Sequence, residues 1–448
     1  MKNTTAMADY ELRHIEALRK DLAGCTVLLK KDGSFPLEKP CTLAAYGSGV
    51  RRTIRGGTGS GEVNSRYIVT IEEGLQQAGF TLTGMEWHTG YEQAREKAHK
   101  AFLKQLKKDA KAAKQNFILY GMGKVMPEPE YDLPLNAEGD AAIYVVSRIS
   151  GEGNDSTPLK GDIRLTDSEV RDILALDKKF TRFMLVLNVG GVVDLSPVMG
   201  VRNILLLSQL GVETGAALAD ILLGKANPSG KLTTTWAAFE EYPEMPDFED
   251  MNETRYREGI YVGYRYFDTF RKKALFPFGY GLSYTEFRLG TAGVEANGAQ
   301  ITVRTTVENT GTMAGRQVVQ VYLSKPAGKL DARPSRSFAP LPRPAHLPRE
   351  KQKLSPAPLP CRRWQLMMPK LPPIFSRPVI TLSVSVSAAP KPSPPPSCIW
   401  ARPSRPCRQK MCWAARISPT LPPLPPRWSA RRVCRSSKST RPRLSVKR

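Results

Sequence analysis

The chain has 448 residues and a formal net charge of +24. The charge is uneven, because residues 331–448 hold 25 Lys and Arg against two acidic residues, which leaves a net charge of +1 for residues 1–330. The first 330 residues therefore have the balance of an ordinary globular protein, and a nucleic-acid-binding function for the chain as a whole is not expected. The length leaves room for two or three domains.

In chain order, the first predicted elements are a helix at 10–22, strands at 26–29 and 43–46, helices at 69–78 and 92–114, and a strand at 117–120. The lysines of the long helix are predicted to form a solvated face rather than a nucleic-acid surface. Residues 122–140 contain three prolines and several acidic residues, which predicts a long loop.

The alternation of helices and strands continues to about residue 285. The next predicted elements are a strand at 141–146, a helix that begins at 166–169, strands at 183–188 and 203–207, and a helix at 212–223. Strands that alternate with helices and are apolar throughout indicate an α/β fold with a mainly parallel sheet covered by helices on both faces. We place this domain at residues 10–285.

A different pattern begins at residue 286. Segments 301–307 and 318–323 alternate apolar and polar residues with a period of two, and residues 309–311 between them, Asn-Thr-Gly, are typical of a turn. This pattern predicts that residues 286–330 open an antiparallel β-sandwich, of which two or three strands are present where about seven are needed.

Residues 331–448 hold 25 of the 37 prolines and almost no acidic residue. Three interpretations compete: a basic disordered tail that binds nucleic acid or membrane, a proline-rich interaction segment, and an out-of-frame translation of GC-rich coding sequence. We favour the third, because five Cys and four Trp are unusual in a functional disordered tail and the change falls inside an unfinished β-domain. An out-of-frame segment of this composition is also expected to be disordered. Segment 379–386 has a strand pattern but no evident partner.

Cysteine and histidine usage argues against disulfides and metals. Only Cys25 and Cys41 precede the tail, and the four histidines are scattered without metal-ligand spacing. Residues 1–9 lack an apolar signal region, so a cytoplasmic location is expected. No stretch approaches the roughly 18 apolar residues of a membrane helix, and we expect no membrane partner.

Glu152 is the main candidate for chemistry. It lies in Ser150-Gly151-Glu152-Gly153, just past the predicted strand 141–146, so that two glycines hold a carboxylate on bendable backbone. Ligands of open α/β sheets bind outside the carboxyl ends of the strands. The alternative is a tight turn with a solvated Glu, since loop carboxylates are mostly exposed.

A glycine-rich stretch at 56–61 suggests nucleotide binding, but it lacks the Lys-Ser/Thr that completes a P-loop. It also does not fit Gly-x-Gly-x-x-Gly before a helix. A bent ligand loop and a tight turn between a strand and a helix remain as its two interpretations.

Six motifs, in order, resemble the α/β domain of glycoside hydrolase family 3, the β-glucosidase family. They lie at 24–33, 55–64, 150–153, 227–232, 258–266 and 277–284. The resemblance covers about residues 16 to 330. Family members combine a TIM barrel, an α/β sandwich and often a fibronectin-type-III-like domain. Most begin with the barrel, whereas this chain begins with the sandwich and so resembles the inverted-order subgroup, truncated before its barrel.

The resemblance implies retaining hydrolysis of β-glucosides or short β-linked oligosaccharides, without a metal or organic cofactor. This reaction needs two carboxyl groups about 5–5.5 Å apart. The family's acid/base position falls on Glu152, while its nucleophile is a barrel Asp that nothing here matches. We therefore expect little or no activity from this chain alone.

The resemblance also implies lesser roles for neighbours of the sugar site. Arg55 and Glu62 border the sugar, although a purely structural turn is equally compatible with that loop. Arg148 either bonds a sugar hydroxyl or holds the Glu152 loop, and we favour the second. Asp155 and Asp162 are expected to tie the loop down, and Ser156 replaces an Arg that is frequent in the family.

The rival hypothesis is a non-catalytic carbohydrate-binding or scaffold protein. Its α/β domain would hold carbohydrate weakly, and its basic tail would recruit a partner. A salt-dependent nucleic-acid affinity that vanishes on deletion of 331–448 would favour it. The sequence does not indicate the sugar, the linkage or the oligomeric state.

Overall fold

The computed structural model describes residues 7–61, 63–121, 124–150, 156–244, 253, 255–297 and 300–324. Beyond residue 324 it describes the backbone of six short strands. Glu152, Glu62 and Asp155 lie outside the described residues. No helix in the described part of the chain is long and apolar enough to cross a bilayer.

Seven helices are found among the described residues: α1 (Asp9–Leu22), α2 (Ile71–Gln77), α3 (Met85–Ala112), α4 (Phe117–Gly121), α5 (Asp167–Lys179), α6 (Thr214–Leu222) and α7 (Tyr264–Phe270). Two of them begin with complete capping boxes. The side chains of Thr70 and Thr166 accept hydrogen bonds from the backbone N–H groups of Glu73 and Glu169. In return, each glutamate side chain accepts from the backbone N–H of its threonine. These caps explain why both helices begin where the sequence predicts.

A six-stranded sheet forms the centre of the α/β domain. Its strands are β1 (Val27–Lys30), β2 (Thr42–Tyr46), β3 (Thr81–Thr83), β4 (Ala141–Arg148), β5 (Phe183–Val189) and β6 (Ile204–Leu206). The order across the sheet is β1-β6-β5-β4-β2-β3. All neighbours pair in parallel except β1, which is antiparallel to β6 at the edge. The predicted mainly parallel sheet is confirmed.

Each face of the sheet is covered by its own apolar core. Alternate residues of β4 divide between the two: Tyr144 and Val146 belong to one core, Ile143 and Val145 to the other. Because both faces are buried, the central strands are apolar at every position rather than at every second one. This burial is why they were recognisable in the sequence.

The predicted strand at 117–120 is wrong, because these residues form the short helix α4. The side chain of Asn116 accepts hydrogen bonds from the backbone N–H groups of Ile118 (2.8 Å) and Leu119 (3.4 Å), which satisfies the free donors of a first helical turn. An apolar run of four residues does not distinguish a strand from a helix.

Strands follow residue 285, as predicted: β7 (Phe287–Leu289), β8 (Gly293–Asn297), β9 (Gln300–Arg304), β10 (Thr306–Asn309) and β11 (Gln320–Ser324). The single strand predicted at 301–307 is divided between β9 and β10, which pair in different sheets. Six further strands are β12 (Ser337–Ala339), β13 (Gln352–Lys353), β14 (Ala357–Pro360), β15 (Ile380–Ser385), β16 (Ile399–Trp400) and β17 (Trp413–Ile417).

Strand β15 falls in segment 379–386, for which the sequence indicated no partner. It pairs antiparallel with β11 in a five-stranded sheet of order β12-β11-β15-β17-β16. Strands β14-β9-β8 and β13-β10-β7 form two three-stranded sheets. The domain limits near residues 285 and 330 stay predictions.

Candidate active site

The parallel strands β2, β4, β5 and β6 end at one edge of the sheet, and the loops that follow them meet there. Asn188, near the end of β5 and fully buried, links two of these loops. Its amide nitrogen donates to the carbonyls of Ile54 (2.8 Å) and Ser208 (2.7 Å), and its oxygen accepts from the Ile54 N–H (2.6 Å). One buried amide therefore fixes the loops after β2 and β6 relative to β5.

The loop that carries Glu152 begins at this edge, and the structure places both of its flanks. On the leading flank, Ser150 packs over Gly190, just past the end of β5. A Cβ atom built on Gly190 would lie 1.9 Å from the Ser150 hydroxyl and 2.8 Å from the Gln209 side chain. A side chain at position 190 would therefore require the side chains of Ser150 and Gln209 to move.

On the trailing flank, the Asp162 carboxylate accepts from the backbone N–H of Thr157 (2.5 Å) and from its hydroxyl (2.9 Å). This contact closes a turn directly after the undescribed residues 151–155. The expectation that Asp162 ties the loop down is confirmed.

Arg148, the last residue of β4, is held by three groups of the protein itself. Its guanidinium donates to the carbonyl of Asp162 (3.0 Å), to that of Ser147 (2.9 Å) and to the Glu169 carboxylate (2.6 Å). The two charged side chains are only 10% and 2% exposed. Burial by itself lowers the pKa of Arg148, but the charge and hydrogen bond of Glu169 outweigh it and raise that pKa. A contact of Arg148 with a sugar stays a prediction.

Besides pairing with Arg148, Glu169 makes a second contact at the start of α5. It is the glutamate of the α5 capping box and accepts from the backbone N–H of Thr166 at 2.8 Å. The same carboxylate thus joins the N-terminus of α5 to the C-terminus of β4.

The hydrogen-bonded pair of Tyr91, which is buried, and Glu128, which is partly buried, was missed by the sequence analysis. The Tyr91 hydroxyl donates to the Glu128 carboxylate, and the Glu128 backbone N–H donates to the Gly161 carbonyl (2.9 Å). Burial is the main reason that the pKa of Glu128 is raised to about 7. The charge of Glu169 raises this pKa further, whereas the charge of Arg148 lowers it. A glutamate inside a proline-rich loop carries no local signal of burial, so only the folded arrangement identifies it.

Arg55 lies at the same edge, since Ile54 beside it is bonded to Asn188. Its guanidinium donates to the Val63 carbonyl (2.8 Å), and its own carbonyl accepts from the Gly211 N–H (2.8 Å). The side chain therefore braces the glycine-rich loop, within reach of the strand ends. Contacts of Arg55 and Glu62 with a sugar stay predictions. No group of three metal-ligating side chains is found among the described residues.

Comparison with known proteins gives a consistent result. The model of the Glycosyl hydrolase family 3 C-terminal domain matches residues 26–284. The chain is 35% identical over 365 residues to beta-glucosidase A of Butyrivibrio fibrisolvens, which covers 71% of this chain and 42% of the relative. It is 34% identical over 319 residues to a beta-glucosidase of Ruminococcus albus, covering 68% of this chain and 32% of the relative.

Among solved structures, beta-glucosidase 3B from Thermotoga neapolitana in complex with alpha-D-glucose aligns with a TM-score of 0.65 at 32% identity. The alignment covers 79% of this chain and 49% of that one. The chain thus spans less than half the length of these relatives. Because the family model matches more than half of its residues, this chain belongs to glycosyl hydrolase family 3 and carries the family's C-terminal domain.

Proposed function

We propose that this chain supplies the acid/base half of a retaining β-glucosidase active site. The observation that carries the proposal is the anchoring of the Glu152 loop, through Arg148 and Asp162, at the carboxyl edge of a family 3 α/β domain. The relatives are named beta-glucosidases, and a similar solved structure holds glucose. These comparisons do not favour the scaffold alternative.

In this mechanism Glu152 protonates the glycosidic oxygen as the bond to the anomeric carbon breaks. It then removes a proton from the water that releases the glycosyl-enzyme. The second carboxylate, which attacks the anomeric carbon, comes from a domain outside the matched region. Arg148, Glu169 and Asp162 move no proton, and their work is to hold the two flanks of the loop.

The test uses the full chain fused to the portion of B. fibrisolvens beta-glucosidase A that lies outside its match. We expect this fusion to hydrolyse 4-nitrophenyl β-D-glucoside, and Glu152→Gln to reduce kcat by roughly 10²–10⁴-fold, the usual contribution of a general acid/base. Glu96→Gln is the matched control, because Glu96 is an exposed carboxylate that pairs with Lys100 on α3. Equal loss in both variants, or turnover by the unfused chain, would contradict the proposal.

We also propose the finer domain organisation. Residues 286–330 open a fibronectin-type-III-like β-sandwich, supported by the antiparallel pairing of β7 with β10 and of β8 with β9. Residues 331–448 are out of frame, the enzyme is cytoplasmic, and the barrel of an inverted-order relative follows in the original frame. Sequencing the coding DNA around codon 330 tests this, since a single-base shift would restore an acidic, β-patterned sequence.

A further inference from the structure

The lysines of α3 lie in a stripe along one side of the helix. At 3.6 residues per turn, six of them fall within an arc of about 100°, and the stripe runs for about 21 Å. Asp109, the one acidic residue between the first and the last of them, lies outside that arc, as do the buried residues Leu106 and Ala110. We call these six exposed residues the lysine stripe: Lys97, Lys100, Lys104, Lys107, Lys108 and Lys111.

This positive charge is concentrated on one segment of an otherwise balanced domain. Residues 97–125 hold eight lysines and one acidic residue, a net charge of +7, whereas residues 1–330 as a whole carry +1. The rest of the first 330 residues therefore carries −6. A surface that gathers one sign of charge in this way attracts partners of the opposite sign.

An apolar surface adjoins the far end of the lysine stripe. There α3 packs on α4, where a Cβ on Gly121 would lie 3.1 Å from a Leu106 methyl carbon. On α4, Ile118 is 71% exposed and Leu119 is 68% exposed. Single exposed apolar residues are ordinary, but two adjacent large aliphatic side chains at this exposure are a feature of contact surfaces. We call Ile118 and Leu119 the apolar tip.

Two lysines contact the aromatic rings that flank the apolar tip in the sequence. The ammonium of Lys107 lies 5.6 Å from the ring centre of Phe117, and that of Lys124 lies 4.0 Å from the ring centre of Tyr120. Since Lys107 also belongs to the lysine stripe, the charged and the apolar side chains form one continuous surface.

We propose that the lysine stripe and the apolar tip together bind the surface of an anionic lipid bilayer. The lysines meet the negatively charged headgroups, while Ile118 and Leu119 enter the boundary between headgroups and acyl chains. Tyr120 beside them suits the same boundary, where tyrosine is enriched. The finding that no helix of the described residues crosses a bilayer, and the sequence-based expectation of no membrane partner, concern spanning segments rather than a surface that lies on a membrane.

The apolar tip distinguishes a lipid surface from other anionic partners. A nucleic acid attracts lysines through its phosphates but offers two aliphatic side chains little to bury them. A stable protein interface buries roughly 800 Å² on each partner, which is far more than Ile118 and Leu119 provide. A bilayer needs only a few apolar side chains at its boundary when lysines supply the rest of the attraction.

The experiment introduces a tryptophan at the apolar tip of the full chain and measures its quenching by lipid. Leu119→Trp is mixed with vesicles of phosphatidylserine and a phosphatidylcholine brominated on its acyl chains, and the emission of the unmodified chain is subtracted. We expect the vesicles to quench the added emission by roughly half. The matched control is Leu174→Trp, at a 42% exposed leucine on α5, whose added emission should fall by less than about a tenth.

The readout is local because residues 331–448, with a net charge of +23, attract anionic vesicles in every variant. Charge is then tested in the Leu119→Trp background. A stripe variant, which should lose at least about half of the quenching, replaces three lysines from the centre of the stripe: Lys97→Gln, Lys104→Gln and Lys108→Gln. A control variant, which should keep the quenching, removes the same charge from three exposed lysines elsewhere: Lys20→Gln, Lys39→Gln and Lys178→Gln.

Four results would overturn the proposal. They are no quenching of either Leu119→Trp or a second probe, Ile118→Trp; equal quenching of Leu174→Trp; equal quenching by vesicles that lack phosphatidylserine; and equal loss in the stripe and control variants. The proposal also fails if the tryptophan at the apolar tip is already shielded from acrylamide before lipid is added, in the chain or in the fusion described above. A second copy of the chain, or another domain, would then cover the apolar tip.

Discussion

Glu128→Gln should make the protein's stability less dependent on pH between pH 5 and 8. Burial raises the pKa of Glu128 to about 7, well above the value of about 4.5 expected in the unfolded chain. The folded state therefore holds this proton more tightly, so the stabilisation is complete below about pH 4.5 and is lost as the pH rises through about 7. A pKa shift of this size corresponds to at most about 3 kcal/mol of stability. We expect roughly 1–3 kcal/mol, because the Glu128 carboxyl interacts with the neighbouring charges of Arg148 and Glu169.

Urea unfolding of both proteins at pH 5 and pH 8 measures this effect. The Gln side chain still accepts from Tyr91 but does not ionise, so the variant's free energy of unfolding, relative to the unmodified protein, should rise by about 1–3 kcal/mol from pH 5 to pH 8. The comparison must be a difference, because burial lowers the pKa of His88 to about 4 and makes stability fall as the pH drops below about 6.5. Glu96→Gln, at an exposed position on α3, should leave this difference flat across the same pH range. A flat difference for Glu128→Gln would refute the reasoning.

Two substitutions test the flanks of the Glu152 loop. Arg148→Ala should cost roughly 3–5 kcal/mol in urea unfolding, since it leaves Glu169 buried without its partner. Adding Glu169→Gln should recover part of that loss, and no recovery would contradict the pairing. Gly190→Ala should cost about 1–3 kcal/mol and speed proteolysis in the loop, because its Cβ would overlap Ser150. Gly191→Ala, where a Cβ meets nothing within 4 Å, should do neither.

The edge of the sheet that carries the candidate site could be predicted from the sequence because it depends on local patterns. Strand β4 is apolar at successive positions, so its end and the loop beyond it were recognisable. Thr166 and Glu169 form a capping box that also marks where α5 begins. Together these features predicted where the sheet ends, and the position of a ligand at that edge stays a prediction.

The supporting contacts could not be predicted, since they join residues far apart in the chain. Tyr91 and Glu128 are 37 positions apart and meet only when the proline-rich loop folds back. Helix α4 was wrongly predicted as a strand because the choice depends on the Asn116 cap and on packing against Leu106.

The buried charges beside the Glu152 loop are better explained by positioning than by stability. A buried ion pair such as Arg148 with Glu169 contributes little net stability, because desolvation offsets most of the attraction. Apolar residues of similar volume would fill the same space at no greater cost. They would not, however, provide the three directional bonds that orient the end of β4 toward Asp162 and α5. A double replacement by Met and Leu should therefore keep or raise the free energy of unfolding, yet increase hydrogen exchange at residues 149–157. Unchanged exchange in that segment would show that the loop is held without the pair.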